Sequence, residues 1–318
     1  MNTSIPTTIA FIHQLTADEQ QRWMDAFHKH CPDLNIQNFS NLSKDSYPSI
    51  QIAIVANPKL SEINCLPNLL WLQSLWAGVE GLLNPDLNPS VEIVKMSDPE
   101  LANSMANSAL TWSLFLQQQI PVYLKQQQNK VWQQHQNKQP QQTRIGILGM
   151  GALGTAAAKK LMAYGFSVFG WSNSEKHIEG MECLNGESTL TQILNQSDIL
   201  INLLPLTKKT QHLLNQETLS WLPKASAIIN FSRGGVIDQQ ALVDALDSNH
   251  LSHAVLDVFE IEPLPQENPL WSHHDITVLP HISGKTNADS AARIVAENIR
   301  EFVISGKLPH VVDKNTGY

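Results

Sequence analysis

The sequence predicts an α/β protein with two domains, each built on a parallel sheet. Two observations carry this. Short apolar runs alternate with helix-length segments in two separate series, one before about residue 100 and one from Arg144 onward. Such alternation lays strands side by side in parallel, with helices covering their faces. The chain is also long enough, at 318 residues with 42% hydrophobic content, to fill two cores at roughly 100–200 residues per domain.

In the first series the apolar runs at 8–12, 50–55, 70–75 and 91–95 read as strands. Between the first two, Ala17–His30 reads as a helix, because Thr16 followed by Glu19 forms a capping-box pattern. The stretch 101–132 is long and helix-compatible, with Pro121 expected to kink or divide it. The glutamine-dense segment 117–142 reads as a solvated helix face and polar loop. Six further strands are expected at 144–148, 166–170, 198–203, 227–231, 254–258 and 276–279, and a closing helix at 287–305. Six strands separated by helix-length segments match a doubly wound dinucleotide fold.

The balance of charge excludes some partners. At a net charge of −8, neither a nucleic-acid backbone nor an anionic membrane is expected to bind, since both attract positive patches. Cys31, Cys65 and Cys183 show neither disulfide nor metal-ligand spacing and are expected to be free thiols. No metal site is expected, and the adjacent His273 and His274 read as loop residues. The N-terminal segment has no basic leader, and no apolar run reaches spanning length, so a soluble cytoplasmic protein is expected.

The most specific local signal is the run Gly149-Met150-Gly151-Ala152-Leu153-Gly154, between an apolar strand and a helix. In that setting Gly149 permits a tight turn, Gly151 lets backbone approach a pyrophosphate, and Gly154 lets the helix pack close to the strand. The helix N-terminus then presents N–H groups and a positive dipole end to phosphate. The next strand ends at Trp171-Ser172-Asn173-Ser174. An NAD site usually has Asp or Glu here, on the ribose hydroxyls. The turn from Trp171 to Ser174 is expected to hold the cofactor. Ser172 stands in the acid's place, which removes repulsion against a 2′-phosphate. Ser172, Asn173 and Ser174 can donate hydrogen bonds to it, and Lys176 can neutralise its charge. NADP(H) is therefore favoured over NAD(H).

Three later segments place polar groups after strands, where ligands bind in open α/β sheets: Arg233 in IINFSRGGVID, Asp257 and Glu262 in VLDVFEIEPLP, and His281 in ITVLPHISGKT. Together they suit reduction of a 2-oxo acid. Arg233 can hold the carboxylate by charge-assisted hydrogen bonds. His281 can donate a proton to the carbonyl oxygen, because imidazole titrates near working pH. Glu262 can bond the other ring nitrogen and keep the donor form available.

These segments resemble the D-isomer-specific 2-hydroxyacid dehydrogenase family. The fingerprint glycines correspond to Gly149, Gly151 and Gly154, the N-x-x-R-G arginine to Arg233, the D-V-F-x-x-E-P acid to Glu262 and the P-H-x-x histidine to His281. The resemblance implies that Asp257 lies beside the nicotinamide amide. It also implies that Ala77 and Gly78 bind the substrate carboxylate through backbone N–H groups, with Trp76 as an apolar wall, and that the Leu204-Pro205 loop runs past the cofactor. Asn107 and Gln119 depart from the family's usual Glu and Arg. PLPQENPLWSHHDITVLPHIS and the WSNS turn resemble the bacterial A-type glyoxylate/hydroxypyruvate reductases, and Trp271 lies in that match as a pocket or core residue.

The resemblance implies Rossmann-like or flavodoxin-like domains: a discontinuous substrate domain, residues 1–100 plus 287–318, with the cofactor domain, residues 101–286, inserted, and a cleft between them. It further implies a homodimer with the segment after Leu101 in its interface. Two other readings stay open: the same chemistry on D-lactate or a branched acid, and a non-catalytic protein that senses dinucleotides.

Overall fold

The computed structural model describes residues 8–314, so residues 1–7, which include the start of the segment read for a leader, lie outside the described residues, as do 315–318. The chain forms two compact units, residues 1–100 with 286–318, and residues 101–285.

The first unit opens with β1 (Ile9–His13), α1 (Ala17–His30), β2 (Ile36–Asn38), β3 (Ile52–Ala56), α2 (Leu60–Ile63), β4 (Trp71–Ser74) and β5 (Glu92–Val94). The strands pair in parallel in the order β2-β1-β3-β4-β5. Both faces are buried: Ile9, Phe11, Ile52, Ile54 and Trp71 join one core, and Ala10, Ile12, Ala53, Val55 and Leu72 the other. This explains why the strands read as unbroken apolar runs. The capping box at the start of α1 is present, with Thr16 N–H donating to Glu19 at 3.0 Å, and the helix buries Trp23 and Phe27 against the first core.

The chain enters the second unit within α3 (Pro99–Gln117), which α4 (Ile120–Gln128) follows. The division falls at Gln119, in the left-handed region at φ 54°, two residues before the proline expected to cause it. Pro121 sits in the first turn of α4, where a missing N–H costs nothing, and it cannot bond back to the Gln117 carbonyl at which α3 ends, so the proline divides the segment as expected. The helix ends at Gln128, short of the expected Trp132. The glutamines of this region have a structural task. Gln119 donates to the Gln136 carbonyl at 2.8 Å, Gln117 donates to the Lys138 carbonyl, and Gln126 bonds His135 at 2.7 Å, lacing the following loop onto the helices.

The remaining elements are β6 (Arg144–Leu148), α5 (Ala152–Tyr164), β7 (Ser167–Ser172), β8 (Glu182–Asn185), α6 (Leu190–Gln196), β9 (Ile199–Asn202), α7 (Gln216–Ser220), β10 (Ser226–Asn230), α8 (Gln239–Asp247), β11 (Leu251–Leu256) and β12 (Ile276–Val278). They form a seven-stranded parallel sheet ordered β12-β11-β10-β9-β6-β7-β8. The order reverses beside β6, which places a topological switch point at the carboxyl ends of β6 and β9. The chain then returns to the first unit as α9 (Ala288–Ser305), capped by Asn287 and burying Ala291, Val295 and Ile299 in its core. The buried Asp98 accepts from the Ser290 hydroxyl at 2.6 Å and fixes the start of this helix. Two α/β sheets, the second inserted within the first unit, are the architecture that the sequence predicts. Among the described residues no helix is long and apolar enough to cross a membrane.

Candidate active site

The turn between β6 and α5 is shaped as a phosphate cradle. Gly149 has φ 100°, and a Cβ there would lie 2.6 Å from the Leu203 carbonyl oxygen, so glycine is required for both conformation and space. A Cβ on Gly154 would lie 1.9 Å from the Gly149 oxygen, which is the close packing of helix start on turn. A Cβ on Gly151 would meet nothing within 4 Å, so the space on that side of the turn is open. No side chain caps α5, and among the described residues the N–H groups of Ala152, Leu153 and Gly154 find no intramolecular acceptor. Unpaired donors at a helix N-terminus beside an open glycine fit a dinucleotide pyrophosphate. Met150 contributes backbone only, because its thioether is buried over Gly170.

The turn after β7 differs from the expectation in two respects. Trp171 is a core residue: its indole is buried and donates to the Gly186 carbonyl at 3.0 Å, and its own carbonyl accepts from Gly149 N–H. Ser172 is also buried, and its hydroxyl donates to the Ser174 carbonyl. That hydrogen is the hydroxyl's only donor, so in this arrangement the Ser172 side chain shapes the turn. Asn173, Ser174 and Lys176 are exposed. The physical point that survives is the missing carboxylate.

Arg233 follows β10 in extended backbone. It is half-buried, with Nη1 donating to the Ser232 carbonyl at 2.7 Å. A Cβ on the next residue, Gly234, would lie 2.0 Å from the Phe259 carbonyl carbon, so the Arg233 turn and the loop carrying Glu262 touch backbone to backbone. That loop orients Glu262, whose Oε1 accepts from Phe259 N–H at 2.9 Å while Oε2 meets His281 Nδ1 at 2.7 Å.

The histidine turn is held from beneath by Asp257, buried at the end of β11. Its carboxylate accepts from Ile282 N–H and Ser283 N–H, each at 2.8 Å, and its carbonyl accepts from His281 N–H at 3.0 Å. His281 itself lies in the left-handed region at φ 52°. The electrostatics follow from these contacts. The Glu262 hydrogen bond raises the His281 pKa above its ordinary value, with burial opposing and Asp257 assisting. Burial alone would raise Glu262, but its hydrogen bonds from His281 and Phe259 outweigh that and hold it below the usual carboxylate range. The charge of Arg233 lowers both. Arg233, Glu262 and His281 are thus brought together, with Asp257 as the anchor of the turn. Trp271, half-exposed, donates to the Pro265 carbonyl at 2.9 Å.

Two residues that the sequence reading passed over complete this region. Asn202 and Asn230 are fully buried at the ends of β9 and β10 and bond each other at 2.9 Å. A buried polar residue closing an apolar strand is the signal that marks them. Leu204 is buried with its N–H on Asn202, and Pro205 follows, half-buried.

In the first unit, Trp76 donates through its indole to Asn57 at 2.9 Å and stacks edge-on with Trp23. Its backbone is pinned by Ser74 and Met96. Ala77 and Gly78 follow, half-buried, and among the described residues their N–H groups find no intramolecular acceptor. Such donors suit an anion.

Comparison with known proteins points to one family. The NAD-binding domain of D-isomer specific 2-hydroxyacid dehydrogenases matches residues 110–283. A D-isomer specific 2-hydroxyacid dehydrogenase from Xanthobacter autotrophicus Py2, crystallised with NADPH, is 34% identical, with a TM-score of 0.92 over 98% of this chain and 100% of that one. The NADPH-dependent glyoxylate/hydroxypyruvate reductase of Sinorhizobium meliloti, crystallised with NADP and sulfate, is 30% identical, with a TM-score of 0.90 over 98% and 100%. A protein of the same family from Klebsiella pneumoniae 342 is 30% identical, with a TM-score of 0.86 over 97% and 98%. With the motifs, the inserted nucleotide-binding fold and these likenesses in agreement, the chain belongs to the D-isomer specific 2-hydroxyacid dehydrogenase family.

Proposed function

We propose that the chain is an NADPH-dependent reductase that converts glyoxylate to glycolate and hydroxypyruvate to D-glycerate. The observation that carries this reading is the 2.7 Å Glu262–His281 pair beside Arg233, in a unit whose helix N-terminus is open to a pyrophosphate. The substrate class is supported by the likeness to the Sinorhizobium meliloti reductase. The cofactor preference is supported by the absence of an acid in the Trp171–Ser174 turn, by exposed Lys176 and by relatives crystallised with NADPH or NADP.

The residues divide the chemistry as follows. Arg233 pairs with the substrate carboxylate and draws electron density from the adjacent carbonyl. Asp257 and the Leu204-Pro205 loop would border the bound cofactor. When bound, the nicotinamide supplies a hydride to the carbonyl carbon. As the carbon–oxygen π bond breaks, its electron pair moves to oxygen, which takes the proton of His281 Nε2. Glu262 accepts from Nδ1–H, which fixes the ring and stabilises the imidazolium before transfer.

A panel of 2-oxo acids assayed with NADH and NADPH tests the assignment. Glyoxylate and hydroxypyruvate with NADPH are expected to give the highest kcat/KM, and His281→Ala is expected to lower it by about 10²–10⁴-fold. A clear preference for NADH or for a branched acid contradicts the finer reading, and near-full activity without His281 contradicts the mechanism.

The pH dependence has a definite sign. The donor is the protonated form, so kcat/KM for reduction falls as pH rises through the His281 pKa, which Glu262 raises above the ordinary value. Glu262→Gln removes that cause, and the falling limb is expected to move toward acid. A limb that stays in place in the variant excludes Glu262 as the partner that sets it.

We also propose a homodimer formed through α4 and the residues after it. Ile120, Val122, Leu124 and Val131 are exposed, and Trp132 is 97% exposed, an apolar patch of the kind that marks an interface. Light scattering after gel filtration is expected to give a dimer that Trp132→Asp converts to monomer. A wild-type monomer at micromolar concentration contradicts this.

A further inference from the structure

The catalytic reading leaves the buried asparagine pair without a task. Asn202 and Asn230 lie opposite each other in register at the ends of adjacent parallel strands, 0% and 1% exposed. Their amides form a directional chain. Asn202 Oδ1 accepts from Leu204 N–H at 3.2 Å, and Asn202 Nδ2 donates to Asn230 Oδ1 at 2.9 Å. The same Asn230 oxygen accepts from Ser232 N–H at 3.3 Å, and Asn230 Nδ2 donates to the Arg233 carbonyl at 3.1 Å. The Ser232 hydroxyl donates to the Leu204 carbonyl and closes the ring.

Only one orientation of both amides satisfies this set. The Leu204 N–H requires an oxygen at one end, and the Arg233 carbonyl requires an NH2 at the other, so the amide between them is fixed in sense. A buried amide is costly unless paired, and this pair spends its hydrogen bonds on two loops, not on the sheet. One loop carries Leu204 and Pro205. The other is the backbone of Arg233 itself.

We propose that Asn202 and Asn230 are positioning residues that couple the cofactor loop at Leu204-Pro205 to Arg233, so that each loop is set by the other. The proposal rests on the reading of Arg233 as the ligand of the substrate carboxylate. Its distinguishing consequence is an effect at a distance. Asn202 bonds the cofactor loop, yet its loss disturbs the oxo acid. Asn230 bonds the Arg233 turn, yet its loss disturbs the cofactor.

The test is a double-mutant cycle in the full chain with Asn202→Ala, Asn230→Ala and the double variant. It records KM and kcat for glyoxylate, the NADPH dissociation constant by fluorescence titration, and the melting temperature. Asn202→Ala is expected to raise the glyoxylate KM, and Asn230→Ala to weaken NADPH, each by about tenfold. The double variant is expected to be no worse than the worse single one, because either change breaks the same chain. Isosteric Asn202→Asp, which sets oxygen against the Asn230 oxygen, is expected to behave like Asn202→Ala.

A fall in melting temperature with KM and NADPH affinity within twofold of wild type overturns the proposal, as do single effects that multiply in the double variant. If the alanine variants do not fold, Asn202→Ser and Asn230→Ser replace them. Failure of both sets to fold makes the pair a folding element and also overturns it. Arg233→Ala, run alongside, separates the two claims. If it leaves the glyoxylate KM unchanged, the reading of Arg233 fails. If it raises KM while the asparagine variants do not, the coupling alone fails.

Discussion

The buried carboxylate of Asp257 is the constraint on which the site depends. Three hydrogen bonds from consecutive N–H groups, those of His281, Ile282 and Ser283, end on this one residue. Two of them are charge-assisted, the stronger kind. They hold His281 at φ 52°, a conformation that a residue with a Cβ rarely adopts and that persists only where its surroundings over-determine it. With the turn held, the ring needs no search to meet Glu262. The hydrogen bond between them then stabilises the charged imidazole more than its partial burial disfavours it.

The partner side is held by contacts as close. Glu262 is oriented by its own loop through Phe259 N–H. The loop rests against Gly234, where any side chain would collide with the Phe259 and Glu260 backbone. The glycine after Arg233 therefore lets the arginine turn and the glutamate loop lie in contact. In the first unit the Trp76 loop is pinned in a comparable way, by Ser74, Met96 and Asn57, and among the described residues the next two N–H groups find no intramolecular acceptor.

How much of this was legible depended on whether the signal was local. Parallel strands buried on both faces read as apolar runs, and β6 was found at its observed bounds. The capping box at Thr16 and the fingerprint glycines are patterns over a few residues, and they too were readable. By contrast β2 and β8 escaped, because Ile36-Gln37-Asn38 and Glu182-Cys183-Leu184-Asn185 are short, mixed edge strands. The break before Pro121 was readable from the proline, which cannot bond back to the Gln117 carbonyl where α3 ends, whereas the left-handed turn at Gln119 that makes it has no sequence signal. At the site, residue types after strands pointed to Arg233, Glu262 and His281. They could not show that Ser172 spends its hydroxyl on its own turn, that Trp171 faces the core, or that Asn202 and Asn230 meet 28 positions apart. The first depends on a hydroxyl rotamer that residue type does not fix, and the other two on contacts distant in sequence.

The central claim is that Glu262 keeps His281 protonated, as a poised proton donor. The most direct measurement is an NMR titration of the His281 imidazole nitrogens in the intact wild-type protein, with the signal assigned by its loss in a His281 variant. The account predicts a midpoint above the ordinary histidine value of about 6.5, with Nδ1 carrying the hydrogen in the neutral form because it faces Glu262. A midpoint at or below that value, or a neutral form protonated on Nε2, would contradict it.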